Sequence, residues 1–305
     1  MLIFAASDKG GTGRSVTSCN LAYQHALQGR DSCYLDFDFG SPTSGAIFEI
    51  PGVQAGVAGG GLHSYLTGGV PRARQIDVWA DSHRDALRRR PGGAGKLTLM
   101  PGDSGFGEFS IDEDIIARCA DLFLRADEEH DLVIVDLSAG RSYAIDMVLA
   151  ATALDWTREV QVRWLIFHRW TRQHIIAANG LVYGPSGILE SGQHRGHDRE
   201  ALRRAIRFVR TAVPDISGPD QAGLRAEQLA WLEVCDQRLQ ELAGRSNVGR
   251  AALLAKIPLD PVLQWQEQIL SGEDVWLHRT ANQGTVNAFE ELAKLVTDDR
   301  AWDGL

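Results

Sequence analysis

The residues best suited to chemistry lie in one short segment near the N-terminus, Lys9-Gly10-Gly11-Thr12-Gly13-Arg14-Ser15. Its three glycines let the backbone approach an anion closely and turn its N–H groups towards it. A helix predicted to begin near Ser15 would add the positive end of its dipole. A glycine run alone is more often a flexible loop or a tight turn. Because this run lies between an apolar, strand-like segment and an amphipathic, helix-like one, it predicts a phosphate-binding loop.

Carboxylates that could complete a nucleotide site follow or end two predicted strands. Asp36 and Asp38 follow one of them, and Asp136 ends the other. A nucleoside triphosphate with Mg²⁺ needs backbone donors for its phosphates, a hydroxyl for the metal and a carboxylate behind the water shell. Asp136 by itself could simply cap its strand, but beside a glycine loop the metal-side role is favoured. Ser15, Asp136 and one of Asp36 and Asp38 therefore supply the required groups.

The surrounding elements predict how these groups come together. A strand at 2–6, a helix at 16–27 and a strand at 32–35 form a βαβ unit, whose crossover places the carboxyl ends of both strands beside the phosphate loop. Further strands are predicted at 96–100, 132–135, 163–167 and 251–256, and helices at 62–66, 111–127, 171–181, 199–210, 226–243 and 287–296. This alternation predicts an α/β fold, with a mostly parallel central sheet flanked by helices in a single domain.

The glycine segment resembles the deviant Walker A signature of the ParA/MinD family, K-G-G-x-G-K-[ST]. Lys9 matches the signature lysine, and Arg14 stands where the second lysine is expected. The usual P-loop spacing fits less well, since it asks for glycine at position 8 and lysine at position 14, where this chain has Asp8 and Arg14. The chain is thus similar to a variant branch of this family.

The resemblance extends beyond the loop. Residues 36–45 look like the family's switch I, in which the second acid, here Asp38, positions the attacking water. Residues 131–136 resemble the Walker B strand, and Gly140 stands where a switch II amide would sense the γ-phosphate, although both prolines of the D-x-P-P-G pattern are lost. The segment 257–260, with Pro258 and Asp260, resembles the I-P-x-D loop that flanks adenine.

The resemblance implies a P-loop NTPase domain over 1–305, with a divergent helical segment at about 183–250. It implies catalytic roles for Lys9 and Asp38, and Mg²⁺ ligation by Ser15, Asp36 and Asp136. The residues expected to bind the nucleotide are Lys9, Gly10, Gly11, Thr12, Gly13, Arg14, Ser15, Val16, Gly140, Pro258 and Asp260. The sixth strand has no clear N-R-x-D, so the choice of ATP over GTP is implied by the resemblance alone.

Two functions remain open from the sequence. The first is a nucleotide-switched ATPase that forms a homodimer with ATP between the subunits, Lys9 reaching the partner's phosphates, and that positions or partitions a cargo with slow hydrolysis. The second is a nucleotide-binding scaffold without appreciable turnover that recruits a protein partner through the 183–250 segment. Arg14 favours the second, because a guanidinium does not fill the place of a lysine ammonium without a shift.

Composition limits the partners. The net charge of −9 opposes approach to a polyanion, so DNA binding is expected to be weak or absent and confined to the arginines of the helix predicted at 199–210. No apolar run approaches the length of a membrane span, so a cytoplasmic protein without membrane association is expected. The four cysteines form no C-x-x-C pair, and buried, reduced thiols are the favoured interpretation.

Overall fold

The computed structural model describes residues 1–105, 107, 109–215 and 224–303. Within these residues eight strands form one sheet. The strands are β1 (Leu2–Ala6), β2 (Ser32–Phe37), β3 (Ile76–Asp77), β4 (Leu97–Met100), β5 (Leu132–Leu137), β6 (Val162–Arg169), β7 (Ile206–Val213) and β8 (Leu253–Pro258). The helices are α1 (Arg14–Leu27), α2 (Ser44–Ile47), α3 (Leu62–Leu66), α4 (Val78–Asp81), α5 (Glu113–Glu129), α6 (Tyr143–Thr152), α7 (Arg172–Tyr183), α8 (Ile188–His194), α9 (Arg199–Arg204), α10 (Ala226–Arg245), α11 (Pro261–Trp265), α12 (Gly272–Trp276) and α13 (Gln283–Leu295).

The order of the strands explains why the loop and the acids meet. Across the sheet it is β3-β4-β2-β5-β1-β6-β7-β8, and every pair is parallel except β3 with β4. The carboxyl ends of β1, β2 and β5 therefore lie side by side at one edge. In register, Asp136 of β5 is opposite Ala5 of β1 and Asp36 of β2. The predicted α/β fold with a mostly parallel sheet is confirmed.

Hydrophobic cores lie on both faces of the sheet. Along β1, Leu2, Phe4 and Ala6 point to one face and Ile3 and Ala5 to the other, and all five are buried. A strand alternates its side chains between faces, so a continuous apolar run is what a central strand covered on both faces requires. The helices that cover these faces, α1 among them, hold the ends of the central strands in place.

One predicted element was wrong. The helix expected at 199–210 ends at Arg204, and the chain continues as strand β7, which pairs with β6 and β8. Arg207 and Arg210 are therefore buried in the sheet layer instead of lying on a solvated helix face. The arginine spacing imitates a helical stripe, but the apolar residues between them, Ile206, Phe208 and Val209, are buried as in a strand.

This strand also changes the description of the segment at 183–250, which was expected to be helical. It contributes β7 to the central sheet between α9 and α10. Three predicted strands are longer than expected, since β2 extends to Phe37, β5 to Leu137 and β6 to Arg169. Asp36 and Asp136 consequently lie within strands, where they are buried.

The structure also bears on membrane association. In the described parts of the chain, none of the helices combines the length and the apolar character that crossing a membrane requires.

Candidate functional site

The glycine segment forms the connection between β1 and the first residue of α1. Gly11 and Gly13 have φ values of +68° and +72°, a left-handed conformation that glycine adopts without the cost of a Cβ. The helical hydrogen bonds of α1 begin at Thr17, whose amide donates to the carbonyl oxygen of Gly13 at 3.0 Å. The amides ahead of it lie at the helix N-terminus, where a helix has no acceptors of its own. The loop thus presents free donors to an anion.

The side chain of Arg14 connects the other polar groups of the site. It is buried, and its Nε donates to Asp136 while its Nη2 donates to Asp38 at 2.9 Å. Longer contacts of 3.4 Å join Nη1 to the Ser7 hydroxyl and Nη2 to the Ser15 hydroxyl. Burial opposes the charge, but the carboxylates of Asp136 and Asp38 outweigh it and raise the pKa of Arg14. The guanidinium therefore stays charged between two acids.

The acid of β5 is satisfied on both oxygens. Arg14 donates to one oxygen of Asp136, and the buried hydroxyl of Tyr34 donates to the other at 2.7 Å. Burial, and then the charge of Asp136, raises the pKa of Tyr34, so that hydroxyl keeps its proton. Asp136 is thus held as the acceptor for two donors from β2 and α1.

Asp36 is also enclosed by protein partners. One oxygen accepts from the amide and the hydroxyl of Ser44, and the other accepts from the amide of Asp38 at 3.3 Å. Burial, and then the neighbouring charge of Asp136, raises the pKa of Asp36 to about 7. This carboxyl is therefore a poorer anion at neutral pH than an exposed aspartate would be.

Lys9 and Gly140 lie at the mouth of the site. The Lys9 side chain is exposed, and it makes no hydrogen bond or ion pair with any residue that the structure describes. The amide of Gly140 donates to the carbonyl of Ser7 at 2.8 Å, and its φ is +83°. The predicted γ-phosphate sensor is therefore close to the glycine loop, but its amide is occupied in this conformation.

A cavity of about 210 Å³ adjoins the loop. It is lined by Thr12, Gly13 and Val16 from the loop and α1, and by Pro258 and Asp260 at the end of β8. The predicted adenine-flanking segment and the phosphate loop are thus brought together. Both oxygens of Asp260, however, accept from backbone amides, of Val262 at 3.1 Å and of Asn282 at 2.9 Å. In this conformation Asp260 starts α11 and anchors the segment before α13.

Sequence reasoning missed further residues that line this cavity. Arg169 ends β6, and its Nη2 donates to Gln264 of α11 at 3.3 Å. Thr211 of β7 also lines the cavity and donates to the carbonyl oxygen of Thr12, which ties the glycine loop to the strand. Arg169 could have been found, because it lies two residues after the apolar strand predicted at 163–167. Thr211 could not, because its strand was predicted as a helix.

The residues present do not fit a divalent metal in this arrangement. Both oxygens of Asp136 and both of Asp36 already accept hydrogen bonds from the protein. The Ser15 hydroxyl is contacted by Arg14. A metal would have to displace a buried guanidinium to reach Asp136, and separating a buried ion pair is costly. That Ser15, Asp36 and Asp136 ligate Mg²⁺ therefore stays a prediction that this arrangement opposes.

Solved structures similar to this chain share its fold over nearly its whole length. The septum site-determining protein MinD complexed with Mg-ADP, from Pyrococcus horikoshii OT3, is 15% identical, with a TM-score of 0.54 and coverage of 98% of this chain and 96% of that one. A chain of the MinC:MinD cell division protein complex from Aquifex aeolicus is 16% identical, with a TM-score of 0.59 and coverage of 97% and 94%. A putative plasmid partition protein from Borrelia burgdorferi B31 bound to AMPPNP is 12% identical, with a TM-score of 0.60 and coverage of 96% and 96%.

These identities are low, so the similarity establishes the fold and nothing finer. No protein-family model matches the chain, and no curated protein matches it.

Proposed function

We propose that this protein is a nucleotide-dependent switch of the ParA/MinD kind, which binds ATP at the loop Lys9–Ser15. The observation that carries the proposal is the loop itself, with two left-handed glycines and the N-terminus of α1 at the carboxyl edge of a parallel sheet. Such helix N-termini bind phosphate groups, because their free amides and dipole favour negative charge. The shared fold with MinD complexed with Mg-ADP supports a nucleotide as the source of that phosphate.

The adjoining cavity is the proposed place of the base. Pro258 provides an apolar surface there, and Arg169 and Gln264 provide polar groups. Mg²⁺ would be held by Ser15, Asp36 and Asp136 only after Arg14 had left Asp136, so the proposed binding does not depend on the metal.

ATP is proposed to bring two copies of the chain together through Lys9. An exposed lysine at the mouth of the site, without a partner among the described residues, is suited to reach a phosphate bound by another subunit. The bound form would then position or partition a cargo. The segment at 183–250 is proposed to contact the protein partner, and α10 supports this role because Ala243 is its one buried residue and Trp231 is 64% exposed.

Calorimetric titration with ATP, ADP and GTP tests the binding step. Gly11→Ala should weaken ATP binding, because a Cβ at a φ of +68° costs about 1–2 kcal/mol and disturbs the amides of the loop. Gly52→Ala is the matched control: its φ is +73° and its Cβ would also meet open space, but it lies away from the cavity. If none of the three nucleotides binds at millimolar concentration, the proposal is wrong.

A second candidate, a scaffold that binds ATP without appreciable turnover, is favoured by the contact between Arg14 and Asp38. Asp38 is the residue proposed to position the attacking water, and here its carboxylate accepts from Nη2 of Arg14 at 2.9 Å. Measuring ATP turnover and ATP binding on the same preparation separates the two candidates. Binding with turnover supports the ATPase, whereas binding without turnover supports the scaffold.

A further inference from the structure

Arg14 contacts two of the three side chains expected to ligate Mg²⁺, Ser15 and Asp136, and it also contacts Asp38, which is expected to position the attacking water. Its guanidinium donates to Asp136 and Asp38 and lies 3.4 Å from the Ser15 hydroxyl. These residues come from β5, from the segment after β2 and from α1. One buried cation is therefore shared by two carboxylates, that of Asp136 on β5 and that of Asp38 just after β2.

The two ion pairs do not use all the N–H donors of the Arg14 guanidinium. Arginine carries five N–H groups in a planar fork, and here Nε is used by Asp136 and Nη2 by Asp38. Nη1 has only the long contact with Ser7, at 3.4 Å. The two ion pairs therefore leave Nη1 without a close acceptor among the described residues, and this is the donor that a phosphate oxygen would use.

A metal would have to compete with this arrangement. Mg²⁺ gives up its water reluctantly and is held in proteins by one or two carboxylates together with the phosphates. Here the carboxylate of Asp136 is 98–99% buried and paired, so the metal would gain it only by expelling a guanidinium that cannot lose its charge. Another cation, Arg169 at the end of β6, lines the cavity that adjoins the loop.

We propose that the Arg14 guanidinium takes the place of the divalent cation, so that this protein binds metal-free nucleoside triphosphate as readily as the magnesium complex. The inference rests on the proposed nucleotide binding at Lys9–Ser15. In this proposal Arg14 binds the nucleotide and determines how strongly nucleotide binding depends on the metal. Asp136 and Tyr34 then act as positioning residues, since they hold the guanidinium in the orientation that frees Nη1.

The test is calorimetric titration of the full chain with ATP in EDTA and, separately, in excess Mg²⁺. The wild-type dissociation constants should agree within about threefold, since a metal that gains no protein ligand adds little affinity. Arg14→Lys should bind ATP at least about tenfold more tightly with Mg²⁺ than in EDTA, because a compact ammonium cannot pair with both acids and leaves one for the metal. Arg30→Lys, the same change at an exposed position beyond the far end of α1, should behave as wild type.

The outcomes separate this inference from the proposed function. Wild-type binding that tightens at least about tenfold with Mg²⁺ overturns the inference and leaves nucleotide binding intact. If the ATP dissociation constant is the same in EDTA and in Mg²⁺ for Arg14→Lys as well as for wild type, Arg14 does not set the metal dependence. Absence of binding in both buffers overturns the proposed function and the inference together. If Arg14→Lys does not fold, the thermal shift that ATP produces in wild type still decides, since it should be the same in EDTA and in Mg²⁺.

Discussion

Nη2 of Arg14 lies 2.9 Å from a carboxylate oxygen of Asp38, and this ion pair joins the start of α1 to the segment that follows β2. Asp38 remains partly exposed at 24%, whereas the Arg14 side chain is only 6% exposed. The pair therefore joins a buried side chain at the start of α1 to a carboxylate that is partly open to solvent. Any water that Asp38 is to position must share its carboxylate with the guanidinium.

Arg14→Lys should raise ATP turnover. A lysine cannot hold Asp38 and Asp136 together as the planar guanidinium does, so Asp38 becomes free to orient water. Because a catalytic group misplaced by about 1 Å can cost roughly a hundredfold in rate, the turnover should rise by at most roughly a hundredfold. Phosphate release measured at saturating ATP checks this. A variant that binds ATP normally and gains no activity would place the defect elsewhere, most plainly in Ser138-Ala139, where the switch II prolines are lost.

Lys9→Ala should leave ATP affinity nearly unchanged and abolish ATP-dependent dimerisation. The side chain is exposed and makes no hydrogen bond or ion pair with any described residue, so its removal breaks no such bond in its own loop. Light scattering with and without ATP measures the change in mass. Lys96→Ala is the control, since Lys96 is also exposed and lies away from the cavity. The same mass with and without ATP in wild type would remove the dimer hypothesis.

Asp136→Asn should destabilise the fold by about 3 kcal/mol, because it leaves a buried guanidinium with one carboxylate instead of two. Urea unfolding measures this loss. Asp146→Asn is the control: Asp146 pairs with Arg195 at the surface, where the loss should stay below about 1 kcal/mol. Equal losses in the two variants would show that the pair of Asp136 with Arg14 contributes no more than a surface contact.

DNA binding should be weak and sensitive to salt, and it should depend on the arginines of α9. A triple change of Arg199, Arg203 and Arg204 to Glu should remove it without unfolding the chain, as gel shifts at low and physiological salt would show. Arg207→Glu should affect the stability of the fold and not DNA binding alone. Arg207 is 2% exposed and donates to backbone carbonyls, among them that of Ile206 at 2.9 Å, so this change should unfold the protein. Tight binding at physiological salt that survives the triple change would contradict the prediction.

Protonation of His25 should destabilise the fold as the pH drops from about 7 towards 4. Burial lowers the pKa of His25 from 6.5 to about 4, so the unfolded chain binds the proton first. The contribution is complete above the unfolded pKa and is lost on acidification, to a limit of about 3 kcal/mol. Urea unfolding across this range should show a flatter profile for His25→Gln. His194→Gln, at an exposed position, should leave the profile unchanged. A His25→Gln profile as steep as that of wild type would assign the acid sensitivity to other groups.

The sequence was sufficient wherever the signal was local. The strand at 2–6, the glycine turns and the helix that follows were predicted because apolar runs, positive-φ glycines and helical spacing each act over a few residues. The parallel pairing of the central strands was also predicted, since strands that alternate with helices form parallel βαβ units, but the order of the strands was not predicted. Local patterning failed at 206–213, where arginines spaced like a helical stripe lie on a buried strand.

The tertiary structure decided what each charged group contacts. Arg14 was predicted to bind phosphate, which stays a prediction, and the structure pairs it with Asp38, 24 positions away, and with Asp136, 122 positions away. Asp260 was predicted to flank the base, which stays a prediction; it lines the cavity beside the loop, and its oxygens accept from the amides of Val262 and Asn282. Residue type and spacing predict which groups reach one edge of a sheet. Which of them pair there depends on register and burial, because a charge that is removed from water is stable only next to an opposite charge.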